Sequence, residues 1–429
     1  MMPPPGPGRT RGAADGRAVS GRGPPTMALV TTPDESPDDD PFRGVPIFGD
    51  LARLFRQQGS LSWDAARQLA TAIATDGGSE PNVDPVERMK IEQLARVAEL
   101  HVASETGLPV ARSGAGLSIV PVTRGQWAQR TLDAYRPLFE ELADSLHAPA
   151  APDLAGEGLG PGDPMAWMAP LLEMIGPMML GMTAGSMVGH LAQRTLGQYD
   201  LPIPRPGGDE LLIVLSNIDA FGTAWSLEPD DLRLWVCLHD VATHAVLGVP
   251  HVRSRLDELL HRYLSGFEGD ASGLEERLGR LDLANPGAIG DLQSSLGDPE
   301  VLLGAIQSPA QLALLPHLQA LVAVVVGTVD HVLDRIGTTL IPSYARITEA
   351  LRRRRVEESP SSRFVERLFG LELTQAQYDR GEAFVRGVLE RAGDAGLARL
   401  WESERTLPTP AEVDAPGLWL ARIELADDI

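Results

Sequence analysis

One apolar stretch, WVCLHDVATHAVLG at 235–248, carries two histidines, an aspartate and a threonine. Imidazoles and carboxylates at helical spacing are the raw material of a metal site. The pattern that builds one is H-E-x-x-H. Histidines four apart differ by about 40° around a helix, so both reach one metal. The glutamate polarises the metal-bound water and takes its proton. In this chain His239 is followed by Asp240, the fourth position on is Thr243, and the next histidine is His244. His239 and His244 are therefore about 140° apart on a regular helix. Only a π-bulge would align them. Asp240 keeps a carboxylate on a stem one methylene shorter, at a place where base geometry is strict. The helix places Leu232, Trp235, Val236, His239, Ala242 and Val246 on its apolar face, so His239 points inward. A lone inward histidine is more often a hydrogen-bonded core residue than a ligand.

Other candidates are weaker. Asp330 and Asp334 share a helical face with His331 beside them, a pattern that also fits a solvated helix end. The sole cysteine, Cys237, lies two residues before His239 and on the opposite face, which disfavours a Cys–His nucleophile. Four consecutive arginines at 352–355 point all round a helix, so a solvated or carboxylate-paired face is expected. His251 follows Pro250 at the start of a new helix. The GAGLS stretch at 114–118 has no following lysine and makes no phosphate loop.

The elements that must hold these residues are mostly helical. Residues 1–40 form a Pro/Gly/Asp-rich tail expected to be disordered, and 41–429 read as a single helical domain with a possible sub-boundary near 147–164. Apolar residues repeat at three and four from about Ser62. Asp84-Pro85 opens a helix that Gly107 stops. Thr123 with Gln126, and Thr374 with Gln377, match capping boxes. Gly181, Gly185 and Gly189 line one face of the very apolar segment 163–193, as close helix approach requires. Glu173, Pro170 and Pro177 interrupt that segment, which favours a buried hairpin over a membrane span. Residues 211–215 are the best strand candidate. Gly248-Val249-Pro250 ends the helix that Pro229 begins. Further helices are expected at 251–267, 314–337 and 341–356, and the tail from Leu407 to Ile423 reads as extended. The whole is mainly α, compact, with few or no strands.

Composition narrows the classes. A formal net charge of −22 over 429 residues disfavours nucleic-acid binding. Arginine supplies nearly all the basic charge, with Lys90 the single lysine. One cysteine excludes an internal disulfide and a multi-cysteine metal cage, and a cytoplasmic setting is expected. Residues 1–26 contain arginines without the apolar core of a secretory signal, and either Met1 or Met27 could be the start.

Several blocks together resemble a family. VPIFGDLARLF, QGSLSWDAARQLA, NVDPVERMKIEQLARVAELHV, MVGHLAQRTLGQYDLPIPR, NIDAF, LRLWVCLHDVATHAVLGVPHVRSRL, VVGTVDHVLDRI and LWLARI occur in order over about residues 43–423. The chain in this respect resembles the zincin-like metallopeptidase type 2 family, mostly actinobacterial zinc-dependent hydrolases. The resemblance implies a helical zincin-related fold, a buried H-E-x-x-H helix and a glutamate on a later helix as third ligand. It puts the first zinc ligand at His239, the general base at Asp240, the second ligand at Thr243 and the third at Val326, ahead of Gly327 and Asp330. His244 matches a further histidine found after the motif. One of three implied ligands survives, and a zinc site needs about three or four.

The expectation is a metallopeptidase-like hydrolase with lost or reduced activity, in which the family's zinc is weak or absent. The alternatives are a non-catalytic binding or scaffold protein using the former cleft for a peptide or small molecule, and an active metallohydrolase with a shifted site on His239 and His244, with Asp330 or Asp334 as carboxylate. The binding alternative requires an apolar pocket where zinc would sit. No membrane span is expected, and the oligomeric state is not encoded in any motif.

Overall fold

Asp84 starts a helix in the way its neighbours dictate. Its side chain accepts from the Val86 N–H at 2.7 Å, Pro85 occupies the first helical position, and Gly107 takes the left-handed conformation (φ 65°) that ends the helix. The structure is a computed structural model describing residues 61–112, 116–147, 169–206, 208–267, 308–356 and 360–427. The tail at 1–40, the connection at 148–164 and residues 268–307 lie outside the described residues. All described residues fall in one compact unit, Ala52–Ile429.

The described elements, in order, are α1 (Trp63–Ala74), α2 (Pro85–Thr106), β1 (Ser118–Pro121), α3 (Arg124–Ala134), α4 (Arg136–His147), α5 (Ala169–Ala192), β2 (Glu210–Ile213), α6 (Leu215–Trp225), α7 (Pro229–Gly248), α8 (Pro250–Leu264), α9 (Pro309–Leu340), α10 (Tyr344–Val356), α11 (Pro360–Leu368), α12 (Gln375–Ala398), α13 (Pro410–Val413) and α14 (Pro416–Asp427). The fold is mainly α, as expected. The apolar run expected as a strand is β2. It pairs in parallel with β1, Ile119 opposite Leu211 and Val120 opposite Leu212.

The central helix is α7, which packs against α2 on one side and α9 on another, while α9 in turn packs along α12. Nearly every α7 residue from Leu232 to Leu247 is buried. The glycine face of α5 does what its spacing implies. Side chains at Gly181 or Gly185 would collide with the α1 backbone at Ser62 or Ala66. A second close crossing joins Gly327 of α9 to Gly381 of α12, backbone against backbone. A smaller core cluster, with Phe384, Val388 and Trp419, lies where α9, α12 and α14 meet.

Four local expectations are corrected. The segment at 163–193 is not a hairpin in its described part: α5 continues past Pro177, whose carbonyl accepts from the Ser62 N–H at 2.8 Å. The C-terminal stretch is helical, because Pro410 and Pro416 sit at first helical positions where a missing N–H costs nothing. Thr374 makes no side-chain cap, and the buried Gln377 Oε1 has no partner. The box that forms instead is Ser308 with Gln311, which starts α9 earlier than its apolar run indicates. Helix α9 is long and apolar enough to cross a membrane, with mean hydropathy 2.0, and 61% of its most apolar window is buried inside the protein.

Candidate functional site

Pro229 at the first helical position and the acidic pair Asp230–Asp231 in the first turn start α7. It continues as an uninterrupted α-helix to Gly248. With no bulge, His239 and His244 leave the helix in different directions, as their five-residue spacing dictates.

His239 stays at the edge of a cavity. Its ring stacks on Trp235 one turn earlier, centroids 5.1 Å apart and planes 16° from parallel. Its Nδ1 lies 3.3 Å from Asp240 Oδ1. His244 is buried and belongs to a different cluster. Tyr199 Oη is 2.9 Å from its Nδ1, and Asp209 Oδ1 is 3.3 Å from its Nε2. The carboxylate can only accept, so Nε2 carries the proton and Nδ1 accepts from the tyrosine hydroxyl. Asp209 also takes the Arg112 backbone N–H at 2.8 Å and pairs with its guanidinium at 3.7 Å. Burial, then the charge of Arg112, push the His244 imidazole below its ordinary range, and burial pushes the Tyr199 phenol up to about 12. His244 is thus a satisfied neutral core histidine.

Asp240 has no exposed surface. Its Oδ2 accepts the Gln198 N–H at 2.7 Å and its Oδ1 accepts the Tyr199 N–H at 3.3 Å. A side chain on Gly197 would overlap the carboxylate. The loop Thr195–Asp200 is thereby clamped on α7, and further bonds hold it. Trp127 Nε1 donates to the Gly197 carbonyl at 3.1 Å, and the Asp200 carboxylate accepts from Leu196 N at 3.2 Å. Arg354 reaches both the Arg194 carbonyl, at 2.6 Å, and Asp200, at 3.1 Å.

The other positions of the H-E-x-x-H frame hold no ligand set. The Thr243 hydroxyl donates to the His239 carbonyl at 2.8 Å, and Val326 is buried in the apolar core. Asp330 pairs with Arg355 at 3.7 Å, and Asp334 accepts from the Tyr344 hydroxyl at 2.6 Å. Burial pushes the Asp330 carboxyl above the usual range although Arg355 draws it down. Among the described residues no group of three or more His, Cys, Asp or Glu could hold a metal ion. The donors present do not fit zinc: one imidazole is available, and the neighbouring carboxylate already accepts two backbone N–H groups.

The cavity beside His239 and Asp240 is small, about 100 Å³. Its walls are mixed rather than apolar, with Arg354, Arg355 and Glu366 beside Trp235, Leu373 and Tyr378. The arginines at 352–355 are largely carboxylate-paired, Arg353 with Glu349, Arg354 with Asp200 and Arg355 with Asp330. Cys237 is buried and its thiol is pushed far up by burial, which removes it from nucleophilic chemistry. His251 follows Pro250 in the first turn of α8, and its Nε2 lies 3.0 Å from the Leu400 carbonyl. Sequence reasoning missed Tyr199 and Asp209 as partners of His244, Arg112 as the partner of Asp209, and Gln198 and Tyr199 as partners of Asp240. The one available signal was Gly197, a residue without a side chain, whose Cα lies against the Asp240 carboxylate.

The fold has a counterpart among solved structures. A crystal structure from Chloroflexus aurantiacus, described as a candidate hydrolase with a novel fold, matches with TM-score 0.60 and 24% identity, covering 85% of this chain and 99% of that one. No curated protein matches the chain. The family model described as zincin-like metallopeptidase matches residues 61–420, which include α7, the loop clamped upon it and α9. The chain belongs to the zincin-like metallopeptidase family.

Proposed function

We propose that this chain is a zincin-like family member that does not cleave peptides, its metal centre having become a structural anchor. The family ties it to hydrolase chemistry. The loss of that chemistry rests on one observation: the carboxylate at the general-base position, Asp240, is fully buried and accepts from Gln198 and Tyr199 N–H. A base must face a water and an open space. This carboxylate borders only the small cavity, and both its oxygens are taken by backbone N–H groups. Thr243 and Val326 at the remaining ligand positions agree with that reading. A shifted metal site using His239 and His244 is disfavoured, because both nitrogens of His244 are already engaged. The net charge of −22 supports partners other than nucleic acid, and the single buried cysteine fits a cytoplasmic location.

The test is zinc titration against a competing chelating dye, with peptidase assays alongside. The wild-type protein should compete poorly and show no zinc-dependent cleavage. Thr243→His with Val326→Glu, leaving the Asp240 anchor intact, should bind zinc about as family ligand sets do. Chelator-sensitive cleavage by the wild type that disappears in His239→Ala would overturn the proposal.

A further inference from the structure

Helix α2 buries one side and leaves the other bare. Ile91, Ala95, Ala98 and Val102 face inward, where α2 packs on α7, β1 and α9. On the opposite side Val86, Met89, Val97 and Leu100 are 52%, 55%, 36% and 69% exposed. At about 100° per residue these four and the exposed Gln93 fall within roughly 80° of arc. Single apolar residues on a surface are normal, but four on one line make a stripe that water covers poorly. The stripe is symmetric in sequence about Gln93, with Met89 and Val97 at equal distances on either side and Val86 and Leu100 beyond them. A second copy of the helix laid antiparallel, with a twofold axis at Gln93, therefore sets Val86 against Leu100 and Met89 against Val97 in both halves. The two Gln93 amides meet on the axis, where each can donate to the other. The same register matches charge. Glu92 and Arg96 lie on one flank of the stripe, both exposed, and neither forms an ion pair among the described residues. Across the axis Arg96 of each copy comes beside Glu92 of the other. On the opposite flank Lys90 is already paired with Glu87 of its own helix at 2.8 Å, so it brings no unmatched charge to the contact.

We propose that α2 is a self-association surface, and that its occupant is a second copy of this chain docked antiparallel on the Val86–Leu100 stripe. One pair of helices covers less than the roughly 800 Å² per partner of a standard complex. The dimer is therefore a weak one, forming at about 10–100 µM chain. The surface uses no residue of the H-E-x-x-H frame, so it stands or falls apart from the metal-free reading above.

The experiment is sedimentation velocity of the full-length protein from about 5 to 500 µM, which should show a monomer passing into a dimer. Leu100→Glu, at a side chain too exposed to matter for folding, should weaken the association about tenfold or more, because each dimer loses two apolar contacts and gains two charges. Arg96→Glu should weaken it about threefold or more, and the double variant Glu92→Arg with Arg96→Glu should restore it. Cysteine cross-linking reads the register. Cys237 is buried, so an introduced surface thiol is the reactive one. Mild oxidation should link two Gln93→Cys copies, whose side chains meet on the axis. Ser104→Cys copies, about 33 Å apart across the same axis, should stay unlinked. A monomer at every concentration overturns the proposal, and leaves the stripe to the chain's own residues 1–60 or, if the protein floats with phosphatidylcholine vesicles, to a membrane surface. A dimer that Leu100→Glu leaves intact, or one linked through Ser104→Cys and not through Gln93→Cys, overturns it equally.

Discussion

Asp240→Ala separates an anchor from a catalytic base. In the structure this buried carboxylate is the acceptor for the Gln198 and Tyr199 N–H groups, at 2.7 and 3.3 Å. A hydrogen bond to a charged acceptor is worth about 1.5–3 kcal/mol, and an unsatisfied buried donor costs about 1–3 kcal/mol. The second bond is long, so the loss should total about 3–4 kcal/mol. At about 1.4 kcal/mol per factor of ten, the Gln198 and Tyr199 amides should lose roughly a hundredfold or more of their protection from hydrogen exchange. Exchange mass spectrometry on the segment 194–203 reads this directly. Asp240→Asn keeps one acceptor oxygen and should fall between. If Asp240→Ala leaves those amides as protected as in the wild type, Asp240 does not anchor the loop and the reasoning is refuted.

Two further outcomes follow from the same contacts. Gly197→Ala should destabilise the protein by about 1–3 kcal/mol in denaturant melts, because the new methyl meets the Asp240 carboxylate, and the penalty should shrink by about 0.5 kcal/mol or more in an Asp240→Ala background. His244 is held neutral by burial, with its imidazole below the ordinary range. Its unfolded form takes up a proton first, so its contribution to stability is complete above about pH 6.5 and declines as pH falls through and below that value. His244→Gln should flatten the fall in stability between about pH 6.5 and 5, measured by urea midpoints across that range; an unchanged slope would contradict the assignment.

Much of this fold is written locally. The helix from Pro85 to Thr106 carries its own start and stop, and the glycine face at 181, 185 and 189 states that another helix must pass close. The parallel pair was only half legible. Leu211–Ile213 is apolar enough to read as strand, but Ser118–Pro121 is four residues long and finds its partner some ninety positions away. The false capping box at Thr374 shows the limit of letter matching, since the same residue types form a true box at Thr123. At the site, the divergence of His239 and His244 followed from spacing alone. The role of Asp240 did not, because its partners are backbone amides of Gln198 and Tyr199, which leave no side-chain signature.

The central claim is that no zinc site survives at His239, and metal content tests it most directly. Protein purified without chelator should contain well under one zinc per chain by mass spectrometry, with His239→Ala no different. One zinc per chain in the wild type, lost in His239→Ala, would contradict the account.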